Sequence, residues 1–248
     1  MSDDPDQAGR TANGDRDPAG DPHEIGWVAF DVGETIVDET RMWSEWAEIL
    51  GVPSTHLFAA LGAVIARAEH HTRVFDLLAP GIDRHALLAE SGRPAPFRVE
   101  AGDIYPDAMP ALSALRAAGI RVAIAGNQPR ETEAALTRLG VPLDLVGTSE
   151  RYGATKPEPA FFERLLGEIG EPPDRVAYVG DRIDNDVIPA AAAGMRPVFL
   201  RRGPWARIQA TMYELPTRTI VADSLVELAD RIRRPAVPAG MADAGRDG

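Results

Sequence analysis

The 248-residue chain carries 38 acidic and 26 basic residues, a formal net charge of −12, and has no cysteine. The acidic excess argues against nucleic acid as a partner, because duplex affinity depends on Lys and Arg neutralising phosphates. The lack of cysteine excludes disulfides, zinc-thiolate sites and thiol nucleophiles.

No stretch approaches the ~20 apolar residues of a membrane-spanning helix, and the amino end shows no apolar signal region. The expectation is therefore no membrane partner and a cytoplasmic location. Residues 1–23 hold six Asp and two Arg among Gly, Pro, Ala and Asn, and residues 235–248 are equally poor in apolar side chains. Both are expected to be disordered tails.

Between the tails, short apolar runs alternate with amphipathic stretches. Ile25 to Phe30, Ile120 to Ala125, Leu143 to Val146, Val176 to Val179 and Pro197 to Leu200 predict five buried strands. Helical patterns fall at 107–118, 130–139, 158–169 and 186–193, punctuated by Pro106, Gly119, Gly140, Gly170 and Gly194. This order predicts an α/β fold: a doubly wound, parallel, Rossmann-like sheet with its ligand site at the carboxyl ends of the strands.

Residues 38–104 break the alternation. Met42, Trp46 and Leu50, then Leu57, Leu61 and Ile65, recur at helical spacing, so a small α-helical insertion is expected after the first strand. The core would then comprise 24–37 and 105–234. Trp43 and Trp46 are expected to pack inside the insertion rather than meet substrate. No internal repeat is present.

The chemistry gathers at strand ends. Asp31 ends the first strand in "IGWVAFDVGET", either as a turn cap or as a side chain projecting into the site. In "VAYVGDRIDND", Asp181, Asp184 and Asp186 crowd the fourth strand tip. Carboxylates this close raise each other's pKa unless a cation sits among them, and an all-oxygen cluster favours Mg²⁺; acids decorating a helix start are the alternative for Asp184 and Asp186. Lys156, just before Pro157 where the sequence pattern predicts a helix start, is badly placed for the helix dipole. Either a negative ligand or Asp31 holds it, or it is a solvated loop residue. Gly126 and Asn127 close the second strand, where N–H groups can meet an anion.

Taken in order, Asp31 to Thr35, Gly126-Asn127, Lys156-Pro157 and "GDRIDND" resemble the four motifs of the haloacid dehalogenase (HAD) superfamily, across about residues 24–233. The resemblance implies a helical cap in the 96 positions between Asp31 and Asn127, since the 29 between Asn127 and Lys156 leave no room for one. It implies a Mg²⁺-dependent phosphatase of a small phosphorylated metabolite, working through an aspartyl-phosphate on Asp31. Asp31 and Lys156 would be catalytic. Asp31, the Gly33 carbonyl, Asp181 and Asp186 would hold the metal. Thr35, Gly126, Asn127, Lys156 and Arg182 would hold the phosphate or substrate, with Asp184 in support.

Two positions depart from the family pattern. Gly33 replaces the Asp that acts as general acid and base, a group whose loss typically costs ~10²–10⁴ in rate; Glu34, a cap residue or water would substitute. On this basis Gly33→Asp is expected to raise turnover. Gly126 replaces a Ser or Thr and removes a hydroxyl donor. These departures keep open a catalytically weak or silent phospho-ligand-binding relative, and the missing second Asp keeps open a 2-haloacid dehalogenase, which needs no metal. His70, His71 and Arg73 are expected on an exposed helix surface. Arg201, Arg202 and Trp205 are expected at an edge or a subunit contact, in a monomer or homodimer.

Overall fold

The structure, a computed structural model, describes residues 25–233, so both expected tails lie outside the described residues. Six strands form one sheet: β1 (Trp27–Phe30), β2 (Arg121–Gly126), β3 (Leu145–Thr148), β4 (Val176–Gly180), β5 (Arg196–Leu200) and β6 (Ile220–Ala222). Their order is β3-β2-β1-β4-β5-β6, and every pairing is parallel. Five strands match the expected runs. The sixth is a three-residue edge strand, too short for its sequence to show a period.

Alternation along each strand feeds two cores. Val28, Phe30, Val122, Ile124 and Val179 face one side, against Leu112 and Leu115 of α5 (Ala108–Ala117) and Leu225, Leu228 and Ile232 of α11 (Leu225–Arg233). Trp27, Ala29, Ala123, Val176 and Tyr178 face the other, against Phe161, Phe162 and Leu165 of α8 (Pro159–Ile169). With both faces covered, the strands must be apolar throughout. The sheet reverses its winding between β1 and β4, the place where doubly wound sheets leave a crevice. Asp31 follows β1 and Asp181 follows β4 directly.

Between β1 and α5 run four helices: α1 (Thr40–Ile49), α2 (Ser54–Ala66), α3 (Arg73–Leu78) and α4 (Arg84–Ser91). They enclose a separate core of Trp46, Leu57, Leu61, Ile65 and Phe75, with the Trp46 and Phe75 rings edge to face at 4.8 Å. Trp205 of α10 (Gly203–Gln209) is 5% exposed and packs into this cluster, so it is neither a surface edge nor free for a subunit contact. No single helix among the described residues is long and apolar enough to cross a membrane.

The two chain segments joining this helical region to the sheet lie side by side. Val37 bridges Ile104, and the Asp38 N–H donates to the Asp103 carbonyl at 2.7 Å. Arg41 grips the buried Asp103 carboxylate with two bonds, at 2.8 and 2.7 Å, and donates to the Arg98 carbonyl. Arg41→Ala would leave that buried carboxylate only the Glu100 N–H, at 2.8 Å, as a hydrogen-bond donor among the described residues. A loss of about 1–3 kcal/mol is expected, read as a fall of roughly 2–4 °C in Tm per kcal/mol. Arg73→Ala, which removes an exposed pair with Asp76, should leave Tm nearly unchanged.

Candidate active site

β1 and β4 end side by side, and their tips bring Asp31, Asp181 and Asp186 together with carboxylate oxygens all within 4.8 Å of one another. Asp186 is fully buried and Asp181 is 2% exposed. Asp186 comes from a π-helical turn, Ile183–Val187, which precedes α9 (Ile188–Ala192) where a continuous helix over 186–193 was expected. The wider turn returns Asp186 to the strand tip, where its Oδ2 accepts from the Arg182 N–H at 3.0 Å. Asp184, two residues earlier, points away and pairs with the Arg182 guanidinium at 3.1 and 2.8 Å. Of the three acids in "DRIDND", Asp184 is thus outside the cluster, and Asp31 completes it.

Lys156 is the counter-charge. Its ammonium reaches Asp31 Oδ1 at 2.7 Å and Asp186 Oδ1 at 2.6 Å, with its side chain 1% exposed. Asn127 holds it there: the Asn127 NH2 donates to the Lys156 carbonyl at 2.9 Å and its oxygen accepts from the Lys156 N–H at 2.7 Å. This two-point clamp leaves one amide hydrogen for a ligand. Burial opposes the charge on Lys156, but Asp186 and Asp31 override it and hold the ammonium well above its ordinary pKa.

The acids bear the opposite strain. Burial, then Asp186, Asp31 and Glu34, push Asp181 well above the usual carboxylate range, and its Oδ2 has no hydrogen-bond partner among the described residues. Burial lifts Asp186 to about 6, although Lys156 pulls it down. Asp184 behaves differently: burial works against its charge, and the Arg182 bonds hold its pKa low.

A cavity of about 410 Å³ opens over the cluster, lined by Asp31, Gly33, Lys156, Asp181 and Arg182 on the sheet side. Met42, Trp43, His70 and His71 form the facing wall. Trp43 is therefore both core and wall, and the two histidines face the cavity rather than solvent alone. Burial, reinforced by His70 and Arg182, drops His71 to about 3, so its imidazole is neutral. Arg73 does lie on the surface, 57% exposed. Arg182 stacks 3.7 Å above the Trp205 ring. Thr35 does not line the cavity; it is fully buried and its hydroxyl has no partner among the described residues. Arg202 turns away to Asp107 and the Thr35 carbonyl, and Arg201 pairs with Asp223 at the surface.

Residues 25–194 match the family model of haloacid dehalogenase-like hydrolases. The chain belongs to that family. It is 34% identical over 197 residues to a glyceraldehyde 3-phosphate phosphatase of Methanopyrus kandleri, covering 72% of this chain and 84% of the relative. A phosphoglycolate phosphatase of Rhodospirillum rubrum is 35% identical over 113 residues, 44% of this chain and 46% of the relative. Among solved structures, a HAD phosphatase of Thermococcus onnurineus superposes with a TM-score of 0.53 at 23% identity, covering 84% and 98% of the two chains. An L-2-haloacid dehalogenase gives 0.61 at 19%, covering 84% and 99%. At those identities the two structures attest the fold alone.

Within this HAD-like hydrolase, steric facts accompany both departures from the family pattern. A Cβ on Gly126 would lie 2.7 Å from Asp31 Oδ1 and 3.2 Å from Val32 Cγ2, so a side chain there would collide with the carboxylate as it is placed. A Cβ on Gly33 would overlap Glu39 Oε1 and lie 2.9 Å from Glu39 Cδ. The space a side chain at 33 would enter is filled by the end of the flexible Glu39 side chain, which must shift to admit one. Burial and Glu34 push Glu39 up to about 8, against the pull of its Trp43 hydrogen bond. Glu39 carries no motif signal, being eight positions from Asp31.

Because Asp181 is buried with an oxygen unpaired among like charges, Asp181→Asn should stabilise the protein in chelator. The expected rise in Tm is roughly 2–4 °C for each of about 1–3 kcal/mol. A fall in Tm on thermal scanning would show that the Asp181 carboxylate is satisfied.

Proposed function

We propose that the protein is a Mg²⁺-dependent phosphatase of a small phosphorylated metabolite, with Asp31 as nucleophile. The observation that carries this reading is the cluster itself: three buried carboxylates against one ammonium, with Asp181 Oδ2 unpaired. An all-oxygen set with surplus negative charge fits a hard divalent cation. Asp31, Asp181, Asp186 and the Gly33 carbonyl would hold Mg²⁺. When bound, it would supply Lewis-acid charge that cancels the repulsion between carboxylate and phosphate.

The protein's own residues do the rest. A carboxylate oxygen of Asp31 attacks phosphorus, and the bond from phosphorus to the leaving oxygen breaks, giving an aspartyl-phosphate. Water then attacks that phosphorus, the bond to Asp31 breaks, and inorganic phosphate leaves. One difficult displacement becomes two easier ones. Lys156, fixed through its backbone by Asn127, pairs with the Asp31 carboxylate and neutralises charge on the phosphoryl oxygens. Arg182, stiffened by Trp205 and Asp184, stands at the wall for a further polar group of the substrate. The cavity volume suits a metabolite of a few carbons. The M. kandleri and R. rubrum relatives are named for phosphates of that size.

The surplus of buried carboxylate charge, which favours a cation, speaks against a metal-free dehalogenase. The two chemistries separate in one assay of p-nitrophenyl phosphate. EDTA should abolish turnover and Mg²⁺ restore it, while Asp31→Asn removes it in either condition. Beryllium fluoride, which mimics an aspartyl-phosphate, should stabilise the protein only with Mg²⁺ and only when Asp31 is present, by about 2.7 kcal/mol at a hundredfold excess over Kd, read as a rise in Tm. EDTA-resistant turnover, or turnover that survives Asp31→Asn, would sink the proposal.

A further inference from the structure

Breaking a phosphate ester leaves an oxygen that must take up a proton, and the second step needs a base for the attacking water. Most titratable side chains on the sheet side of the cavity are committed, while Glu69, His70 and His71 lie on its facing wall. Asp31, Asp181 and Asp186 form the cluster, Lys156 is locked between two of them, and Asp184 is held by Arg182. Glu34 lines the cavity, but both its oxygens are engaged: Oε2 accepts from the Tyr105 hydroxyl at 2.6 Å and Oε1 from the Glu39 N–H at 3.1 Å.

Glu39 is different. The chain doubles back after Asp31 through a bridge between Gly33 and Val37 and a bond from the Glu34 N–H to the Val37 carbonyl at 2.7 Å. That return carries Glu39, at the mouth of α1, over Gly33. Trp43, one helical turn on, donates from its indole N–H to Glu39 Oε2 at 3.2 Å and fixes the side chain. Oε1 accepts no hydrogen bond among the described residues and occupies the space where a side chain on Gly33 would begin. Glu39 lines the same cavity as Asp31.

The geometry points to Glu39 as the general acid and base of the reaction, its carboxyl entering from α1 into the space that Gly33 leaves open on the nucleophile loop. The assignment rests on the phosphatase reading above. In the first step the Glu39 carboxyl gives its proton to the leaving oxygen as the bond to phosphorus breaks, releasing an alcohol and leaving Glu39 ionised. In the second, Glu39 takes a proton from the attacking water, its oxygen bonds to phosphorus, and the bond to Asp31 breaks. Phosphate departs, and both carboxyl groups return to their starting states. Gly33 and Glu39 then form one unit: a residue larger than glycine at 33 displaces the acid at 39.

The test compares Glu39→Gln with the natural protein on p-nitrophenyl phosphate, whose leaving group needs no proton, and on glycerol 3-phosphate, whose leaving group does. Glu39→Gln preserves the shape and the acceptor for Trp43. Steady-state kcat should fall by ~10²–10⁴ on both. With p-nitrophenyl phosphate a burst of about one p-nitrophenolate per chain should precede the slow phase, and the phosphorylated protein should be visible by intact mass. Glycerol 3-phosphate should give no burst. Gly33→Asp alone should lose activity, and Gly33→Asp combined with Glu39→Ala should regain glycerol 3-phosphate turnover to within about tenfold of the natural protein.

The assignment is overturned if Glu39→Gln keeps its steady-state rate, if activity is lost without a burst, or if Gly33→Asp raises turnover with Glu39 in place. Failure of the underlying reading looks different: the natural protein itself then shows no Asp31-dependent turnover of either substrate.

Discussion

The structure turns on the burial of three carboxylates and one ammonium at the tips of two adjacent parallel strands. At the effective dielectric that suits such groups, two unit charges 4 Å apart interact by about 4 kcal/mol. Lys156 satisfies Asp31 and Asp186 but leaves Asp181 facing its neighbours. The backbone sets where these side chains begin. Asp31 and Asp181 extend β1 and β4, and the β1–β4 register aligns Phe30 with Val179, one step before each turn leaves the sheet. The apolar strands packed on both faces thus hold together a charge arrangement that is unfavourable by itself.

Three glycines make that arrangement possible, and they do so by size rather than by backbone freedom. A Cβ on Gly180 would overlap the Asp186 carboxylate, one on Gly126 would press on Asp31, and one on Gly33 would overlap Glu39. None of the three has positive φ. Each marks a place where an acidic side chain lies against backbone at the carboxyl edge of the sheet. The hydroxyl that Gly126 lacks is a lost donor, but its absence also lets the Asp31 carboxylate lie where it meets Lys156.

The sheet, its parallel sense and the meeting of Asp31, Lys156, Asp181 and Asp186 were legible because each rests on a local pattern: an apolar run, a turn, an acid at its end. The rest depended on geometry that leaves no such mark. Spacing alone does not separate Asp184 from Asp186, which only the family resemblance tells apart; the π turn sends Asp186 to the cluster and Asp184 to Arg182. Asn127 has a polar side chain at a strand end, the signature of an anion ligand, yet most of its hydrogen bonding goes to the main chain of Lys156, and main-chain partners have no sequence signal. Trp43 sits on α1 and His71 in the turn between α2 and α3, and neither the apolar spacing of the one nor the expected exposure of the other marks it for the cavity wall they share. Glu39 was hidden because the doubled-back loop, not sequence proximity, sets it over Gly33.

That loop also places Glu39 on a boundary. Asp31, Asp181 and Lys156 belong to the sheet, whereas Glu39 caps α1 and is pinned by Trp43 inside the helical region. The two parts are joined by the paired segments at Val37 and Ile104 and by the grip of Arg41 on Asp103. A shift of the helical region relative to the sheet would therefore carry the Glu39 carboxyl away from Asp31 while leaving the pairing of Asp31 with Lys156 intact. Proton transfer falls off steeply beyond hydrogen-bond reach. If Glu39 is the acid, the helices that form the wall against Arg182 and the cluster also set whether the leaving oxygen finds its proton, so substrate fit and proton supply are tied to one docking geometry.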